Sequence, residues 1–177
     1  MIHLVCGGAS SGKSEYAENL AMELCCENGE KIYVATMLAY DEESKKRIAI
    51  HQYNRKNKGF KTFETPFDIK NIQHKITKND VILVECLSNL VANEMYEKGV
   101  NPLFCAEKIL GEILLIGEKS KDVVIVSNSV FSSGEDIKDY SRELGKLNCK
   151  IAQKADFVAE ICANCVVMHK QKGGKNF

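Results

Sequence analysis

An α/β fold, a mostly parallel sheet with helices on both faces, is what the sequence predicts, and three observations carry that reading. Apolar runs without alternation, such as Val81-Ile82-Leu83-Val84 and Val123-Val124-Ile125-Val126, read as strands buried on both sides. Such runs alternate with longer segments of helical periodicity, the order that makes parallel neighbours. The first run passes directly into a glycine-bearing loop and then a helical pattern, in Leu4-Val5-Cys6-Gly7-Gly8-Ala9-Ser10-Ser11-Gly12-Lys13-Ser14.

Taken in order, the helix after that loop spans Ser11 to Glu27. Tyr16, Leu20 and Leu24 fall on one face with Ala17 and Ala21 beside them, and Asn28-Gly29 stops it. Lys31 to Thr36 is the second strand. A charged helix runs from about Asp41 to Lys58 and is closed by Gly59; Phe60 to Thr65 alternates as a strand does. Pro66 opens a short helix to about Lys75. Val81 to Glu85 is a strand ending in a carboxylate. Helices follow over Leu87–Glu97 and Pro102–Lys119, separated by Gly99-Val100-Asn101. Val123 to Ser127 is a further strand, and the loop from Asn128 to Glu135 leads to a helix from about Ile137 to Ala155. Phe157–Ile161 and Val166–His169 close the sheet. One domain over 1–170 and a frayed tail over 171–177 are expected.

The chain has 177 residues and a formal net charge of zero, so composition makes no case for nucleic acid or an anionic membrane as partner. No apolar run approaches the ~20 residues that cross a bilayer, and the glycine loop comes too early for a signal peptide. A cytoplasmic protein is expected. Its eight cysteines then read as reduced thiols. Cys6, Cys25, Cys26, Cys86, Cys105 and Cys149 lie in apolar or helical patterns, where the residue acts as a small hydrophobe.

Gly7, four residues, then Gly12-Lys13-Ser14 is a complete P-loop pattern in its required strand–helix context. Glycines let successive N–H groups of Gly7, Gly8, Ala9, Ser10, Ser11 and Gly12 curl around phosphate oxygens, and the helix points its positive end at them. Lys13 reaches the β- and γ-phosphates, and the Ser14 hydroxyl can ligate Mg2+. Motif and alternation together predict a P-loop NTPase of the RecA-like kind. Ligands in such sheets sit beyond the carboxyl ends of the strands, which directs attention to Ala35-Thr36-Met37, Glu85–Asn89 and Ser127–Ser129. Glu85 has the placement of a Walker-B carboxylate and is the second candidate magnesium ligand; by itself it also reads as a solvated strand end.

Arg47, His51 and Arg55 recur at intervals of four, so they form one stripe on a helix. Arginine forks grip phosphate oxygens and a neutral imidazole can attack phosphorus. On spacing alone the stripe is more often a solvated face, with Glu43 pairing Arg47. Cys162-Ala-Asn-Cys165 with His169 offers three zinc ligands and no fourth nearby, and it does not open a helix as a redox pair would.

These residues together resemble the bifunctional adenosylcobinamide kinase/adenosylcobinamide-phosphate guanylyltransferase family of cobalamin biosynthesis. The resemblance rests on Gly7–Ser14, Tyr33-Val34-Ala35-Thr36, Arg47-Ile48 with His51 and Arg55, Gly59–Glu64, Glu85-Cys86-Leu87 and Val126-Ser127-Asn128. The Arg-Ile-x-x-His-x-x-x-Arg segment followed by aromatic-x-Thr-x-Glu is its most specific part, and it turns the reading of His51 from solvated to catalytic. The resemblance implies that a nucleoside triphosphate, ATP or GTP, phosphorylates adenosylcobinamide with Lys13 as a catalytic contact. GMP then passes from GTP to His51 and on to adenosylcobinamide phosphate. It further implies a nucleotide site built from the P-loop, Ala35, Thr36, Met37, Gln52, Tyr53, Asn54, Arg55, Glu64 and Glu85, a corrinoid partner, and a homotrimer. The chain departs from the usual family residues at Ser129, at Cys149-Lys150 after Asn148, and at Phe60. Alternatives are retention of one activity, another P-loop small-molecule kinase, and a non-catalytic GTP module. With three arginines in the chain and no Asn-Lys-x-Asp, the last two are the weaker.

Overall fold

A computed structural model describes residues 1–129 and 138–172. The strands are β1 (Ile2–Gly7), β2 (Lys31–Ala35), β3 (Phe60–Glu64), β4 (Val81–Glu85), β5 (Asp122–Asn128), β6 (Phe157–Cys162) and β7 (Cys165–Gln171). They form one seven-stranded sheet in the order β3-β2-β4-β5-β1-β6-β7. Every pairing is parallel except β6 with β7, which are antiparallel. The strands in the middle lie under apolar cover on both sides: Val81, Ile82, Leu83 and Val84 are all fully buried, as are Val123 to Val126. That explains why their side chains do not alternate in polarity.

The helices are α1 (Lys13–Leu24), α2 (Glu42–Arg55), α3 (Leu87–Ala92), α4 (Pro102–Lys119) and α5 (Lys138–Lys154). One face of the sheet packs Leu4, Ile32, Ile82 and Ile125 against Leu87 and Leu90 of α3, Ile109, Ile113 and Ile116 of α4, and Leu144, Leu147 and Ile151 of α5. The other packs Val5, Leu83, Val124 and Val126 against Ala17 and Ala21 of α1. The small alanines, not Tyr16, Leu20 and Leu24, make the closest approach; those three are partly buried around them. Helix α2 packs on neither face. Its one buried residue is Arg55, and it stands over the carboxyl end of the sheet.

Helix ends follow local chemistry. Helix α1 starts at Lys13 because Gly12 has φ 92, a left-handed conformation; Cys25 is extended and ends it. Asp41 caps α2, accepting from Ser44 N–H at 2.7 Å, while Ser44 Oγ accepts from Asp41 N–H at 3.1 Å. Asn101 caps α4 ahead of Pro102, its side chain accepting from Leu103 N–H at 2.9 Å. The turn after Pro66 is a 3-10 helix over Ile69–His74. The helix expected over Leu87–Glu97 divides: α3 is α-helical, and Asn93–Glu97 widens into a π turn. The loop and helix start expected over 130–137 and the tail over 173–177 lie outside the described residues. No described helix is long and apolar enough to cross a membrane.

Candidate functional site

The P-loop leaves β1 at Gly7 and turns into α1 at Lys13. Lys13 is buried, and its ammonium donates to Gly8 C=O at 3.0 Å, so the cation is folded over the loop. The loop is also clamped from outside. The β6–β7 turn donates Asn164 N–H to Ser11 C=O at 3.0 Å. Gly12 is favoured by its φ of 92, and a Cβ placed there would also meet Asn164 Oδ1 at 2.0 Å, so that side chain would have to move aside.

Parallel pairing sets Glu85, the last residue of β4, beside Ala35 of β2. Its carboxylate is buried and has two protein donors: the Ser14 hydroxyl on Oε1, and the Tyr33 hydroxyl on Oε2 at 3.1 Å. Burial first, then the Glu85 charge, pushes the Tyr33 phenol far above its ordinary value, so it stays a donor. The Arg55 guanidinium lies over the Tyr33 ring at 3.4 Å from the centroid. Arg55 is 6% exposed, yet its Nε and Nη1 have no hydrogen-bond partner among the described residues. An unpaired, buried fork of donors at the wall of a cleft is built to receive an anion.

Two connected clefts open over the strand ends. The first, about 460 Å³, is lined by Ala9, Ser10, Lys13, Ser14, Tyr33, Ala35, Met37, Arg47, Ile48, His51, Gln52, Arg55, Glu64, Glu85, Cys86, Asn89 and Asn128. The second, about 560 Å³, runs along the P-loop and is lined by Ser10 to Glu15, Glu18, His51, Asn54 and Lys58. His51 borders both. Arg47, His51 and Arg55 of the α2 stripe therefore all face the first cleft, opposite Lys13 and Ser14. Four expected site residues sit differently. Gly7 packs against Ser11 and Ile161 C=O, Gly8 supplies the carbonyl held by Lys13, and Tyr53 is 78% exposed on α2 and lines neither cleft. Thr36 is fully buried and lines neither cleft; its hydroxyl accepts from Cys86 N–H at 2.7 Å and donates to Cys86 C=O at 2.9 Å, across the cis Glu85–Cys86 peptide.

Asn89 and Asn128, which line the first cleft, fall within the strand-end segments Glu85–Asn89 and Ser127–Ser129 that the sequence points to. The residues missed by the sequence reading are Tyr33 as a site residue and Glu18 with Lys58, an ion pair at 2.5 Å. Of the missed residues only Tyr33 had a local signal, its position two residues before a strand end. At the departures from the family pattern, Phe60 meets the Tyr33 ring edge-on with centroids 6.3 Å apart, Ser129 N–H donates to Gly7 C=O at 3.2 Å, Cys149 is exposed, and Lys150 pairs with Glu107 at 2.6 Å. The retained Asn148 accepts from the Ser127 hydroxyl at 2.7 Å. Cys162 and Cys165 are free, exposed and opposite each other across the β6–β7 turn, where Ala163 and Asn164 both have positive φ. His169 pairs with Glu160 at 3.1 Å. Among the described residues no three metal-binding groups gather around these cysteines. The reading of the scattered cysteines as small core hydrophobes holds for Cys105, which is buried, but Cys26 and Cys149 are exposed.

The model of the family described as cobinamide kinase / cobinamide phosphate guanyltransferase matches residues 3–168. The chain belongs to this family. It is 32% identical over 164 residues to the bifunctional adenosylcobalamin biosynthesis protein CobP of Pseudomonas aeruginosa, covering 89% of this chain and 91% of the relative. Against the bifunctional adenosylcobalamin biosynthesis protein CobU of Escherichia coli it is 34% identical over 100 residues, a match spanning 56% of this chain and about half, 52%, of that relative. Among solved structures it is similar to the flagellar accessory protein FlaH of Methanocaldococcus jannaschii, with TM-score 0.55, 16% identity and 97% and 78% of the two chains covered. That likeness shows the fold alone.

Proposed function

We propose that this chain of the cobinamide kinase / cobinamide phosphate guanyltransferase family carries out both reactions at the cleft between α2 and the P-loop. The observation that carries the reading is His51 bordering both clefts, with Lys13 and Ser14 across from it. In the kinase step the hydroxyl of adenosylcobinamide attacks the γ-phosphorus of ATP or GTP. The new P–O bond forms as the bridging P–O bond breaks; the nucleoside diphosphate leaves and the hydroxyl proton is lost. Lys13 and the P-loop N–H groups stabilise the charge gathering on the leaving oxygen.

In the guanylyl step a neutral His51 nitrogen attacks the α-phosphorus of GTP. An N–P bond forms and pyrophosphate departs. A phosphate oxygen of adenosylcobinamide phosphate then attacks the same phosphorus. The N–P bond breaks, His51 is restored, and adenosylcobinamide-GDP is released. Arg55 is the oxygen-binding fork in this reading, and Gln52, Asn54 and Glu64 complete the nucleotide site. The Ser14 hydroxyl and the Glu85 carboxylate are hard oxygen donors already in contact, a set that suits Mg2+. Bound there, the ion would neutralise phosphate charge. The proposal includes the cytoplasmic homotrimer implied by the resemblance, whose mass is checked by light scattering.

The test is incubation with magnesium and GTP labelled at the α-phosphate, then denaturing electrophoresis of wild type and His51→Ala. Acid-labile label on wild type alone supports the histidine intermediate. Absence of label from a wild type that binds GTP sinks the guanylyl half.

A further inference from the structure

A third cleft, about 400 Å³, opens beside the nucleotide cleft and shares Met37, Arg47 and Asn89 with it. It lies between the β2–α2 connection, the first turns of α2, and α3 with its π turn. Two large aromatics stand exposed on its walls: Tyr40, 62% exposed, and Tyr96, 59% exposed. Tyr40, from the β2–α2 connection, and Glu97, from the π turn, both line the cleft.

Its electrostatics differ from those of the nucleotide cleft. There, Lys13, Arg47 and Arg55 outnumber the carboxylates Glu64 and Glu85. Here the charged lining is Asp41, Glu43 and Glu97 against Arg47 alone. A second polyphosphate is repelled from such a rim, while a large ligand rich in carboxamides finds hydrogen-bond acceptors and flat apolar faces. The π turn is an independent sign. Continuing α3 as a regular helix would rotate Tyr96 by about 100° about the axis, since one residue is one such step. The widened turn over Asn93–Glu97 sets Tyr96 on the cleft instead, and π turns concentrate at functional sites.

We propose that this cleft is the acceptor seat. It takes the aminopropanol arm and one edge of the corrinoid, with Tyr40 and Tyr96 under the macrocycle. The macrocycle is too broad to sink into the cleft, so it lies across the mouth and only the arm passes inward, past Met37, Arg47 and Asn89. Glu43, Arg47, His51 and Arg55 follow one another at intervals of four along α2, so the same helix face runs from the acceptor seat to the nucleotide. Arg47, at the border, meets the phosphate that the kinase step places on the arm. One seat then serves both reactions, because both occur at the end of that arm. This inference rests on the functional reading above.

The experiment compares full-length wild type with Tyr40→Ala/Tyr96→Ala and with Tyr40→Phe/Tyr96→Phe. Equilibrium dialysis with adenosylcobinamide, and transfer rates against adenosylcobinamide phosphate concentration, report on the seat; label on His51 from GTP alone reports on the donor half. Expected are a tenfold or greater loss of corrinoid affinity and a matching rise in acceptor KM for the alanine pair. The phenylalanine pair keeps the ring faces and stays within about threefold of wild type, and label on His51 is equal in all three. Unchanged corrinoid affinity in the alanine pair overturns the seat. A wild type that binds corrinoid but takes no label overturns the guanylyl reading, while a binding loss in the alanine pair still supports the seat. Both side chains are mostly exposed, and an unchanged thermal midpoint verifies that the alanine pair is folded.

Discussion

Replacing Arg55 with methionine separates what that residue does for the fold from what it does for a ligand. Methionine fills a similar volume above the Tyr33 ring but brings no charge. The wild-type fold carries two buried donors, Nε and Nη1, without partners, each costing about 1–3 kcal/mol of desolvation. Against that stands one stack at 3.4 Å, worth about 2 kcal/mol when desolvated. The unliganded variant is therefore expected to be as stable as wild type or more so, by up to a few kcal/mol. Ligand binding moves the other way. Losing one hydrogen bond between the fork and a phosphate oxygen costs about 1.5–3 kcal/mol, a factor of roughly 10 to 150 in Kd. Urea unfolding followed by circular dichroism gives the first quantity, and calorimetric titration with magnesium GTP gives the second. A variant that loses more than about 2 kcal/mol of stability while binding GTP within twofold of wild type would refute this reasoning, because Arg55 would then be a structural tie.

Gly12→Ala is expected to weaken nucleotide binding at least tenfold and to lower the thermal midpoint. Asn164→Gly added to it restores part of the loss, since it removes the 2.0 Å contact but not the strain of φ 92. Tyr33→Phe removes a donor to Glu85 and leaves the ring under Arg55. Stability should fall by only about 1 kcal/mol, and the magnesium dependence of GTP binding should shift to higher concentration; an unchanged magnesium titration would count against Tyr33 as a support of Glu85. Leu83→Ala, in a fully buried strand, should cost about 2–5 kcal/mol in urea unfolding. Asp68 is held at about 2, below its ordinary 3.8, first by the hydrogen bond from Lys98 and then by Lys108. Its folded-state value is depressed, so its stabilising effect is complete above pH 4 and disappears as pH falls toward 2. Asp68→Asn should flatten the acid limb of the stability curve over that window, read by urea titrations at successive pH.

Much of the site was legible because it is local. Gly7 to Ser14 is one loop, and its residue types follow from wrapping backbone donors around phosphate. Arg47, His51 and Arg55 are one helix face, and a four-residue interval is enough to align them. The apolar runs of β4 and β5 declared burial on both sides because nothing in them alternates. The ends of α1 were less legible: Asn28-Gly29 reads as its stop, but extended Cys25 ends it at Leu24, and left-handed Gly12 sets its start at Lys13. The widening of the helix after Ala92 carried no mark, since Asn93–Glu97 reads as an ordinary helical continuation.

The remaining features are contacts between segments far apart in the chain, and strand order decides them. Glu85 meets Ser14 and Tyr33 because β4 lies beside β2 and one strand away from β1. Asn164 reaches Ser11 because β6 joins the sheet beside β1. Arg55 settles on Tyr33 because α2 packs on neither sheet face and closes over the strand ends, where its own charge is the one group it buries. Periodicity along a chain reports which face of an element is apolar; it holds no term for which element lies next to it. By itself the sequence determined the phosphate loop, the histidine stripe and the layered α/β class. The tertiary structure alone decided what each of them faces, because crossover connections can set parallel strands side by side in several orders with the same local pattern.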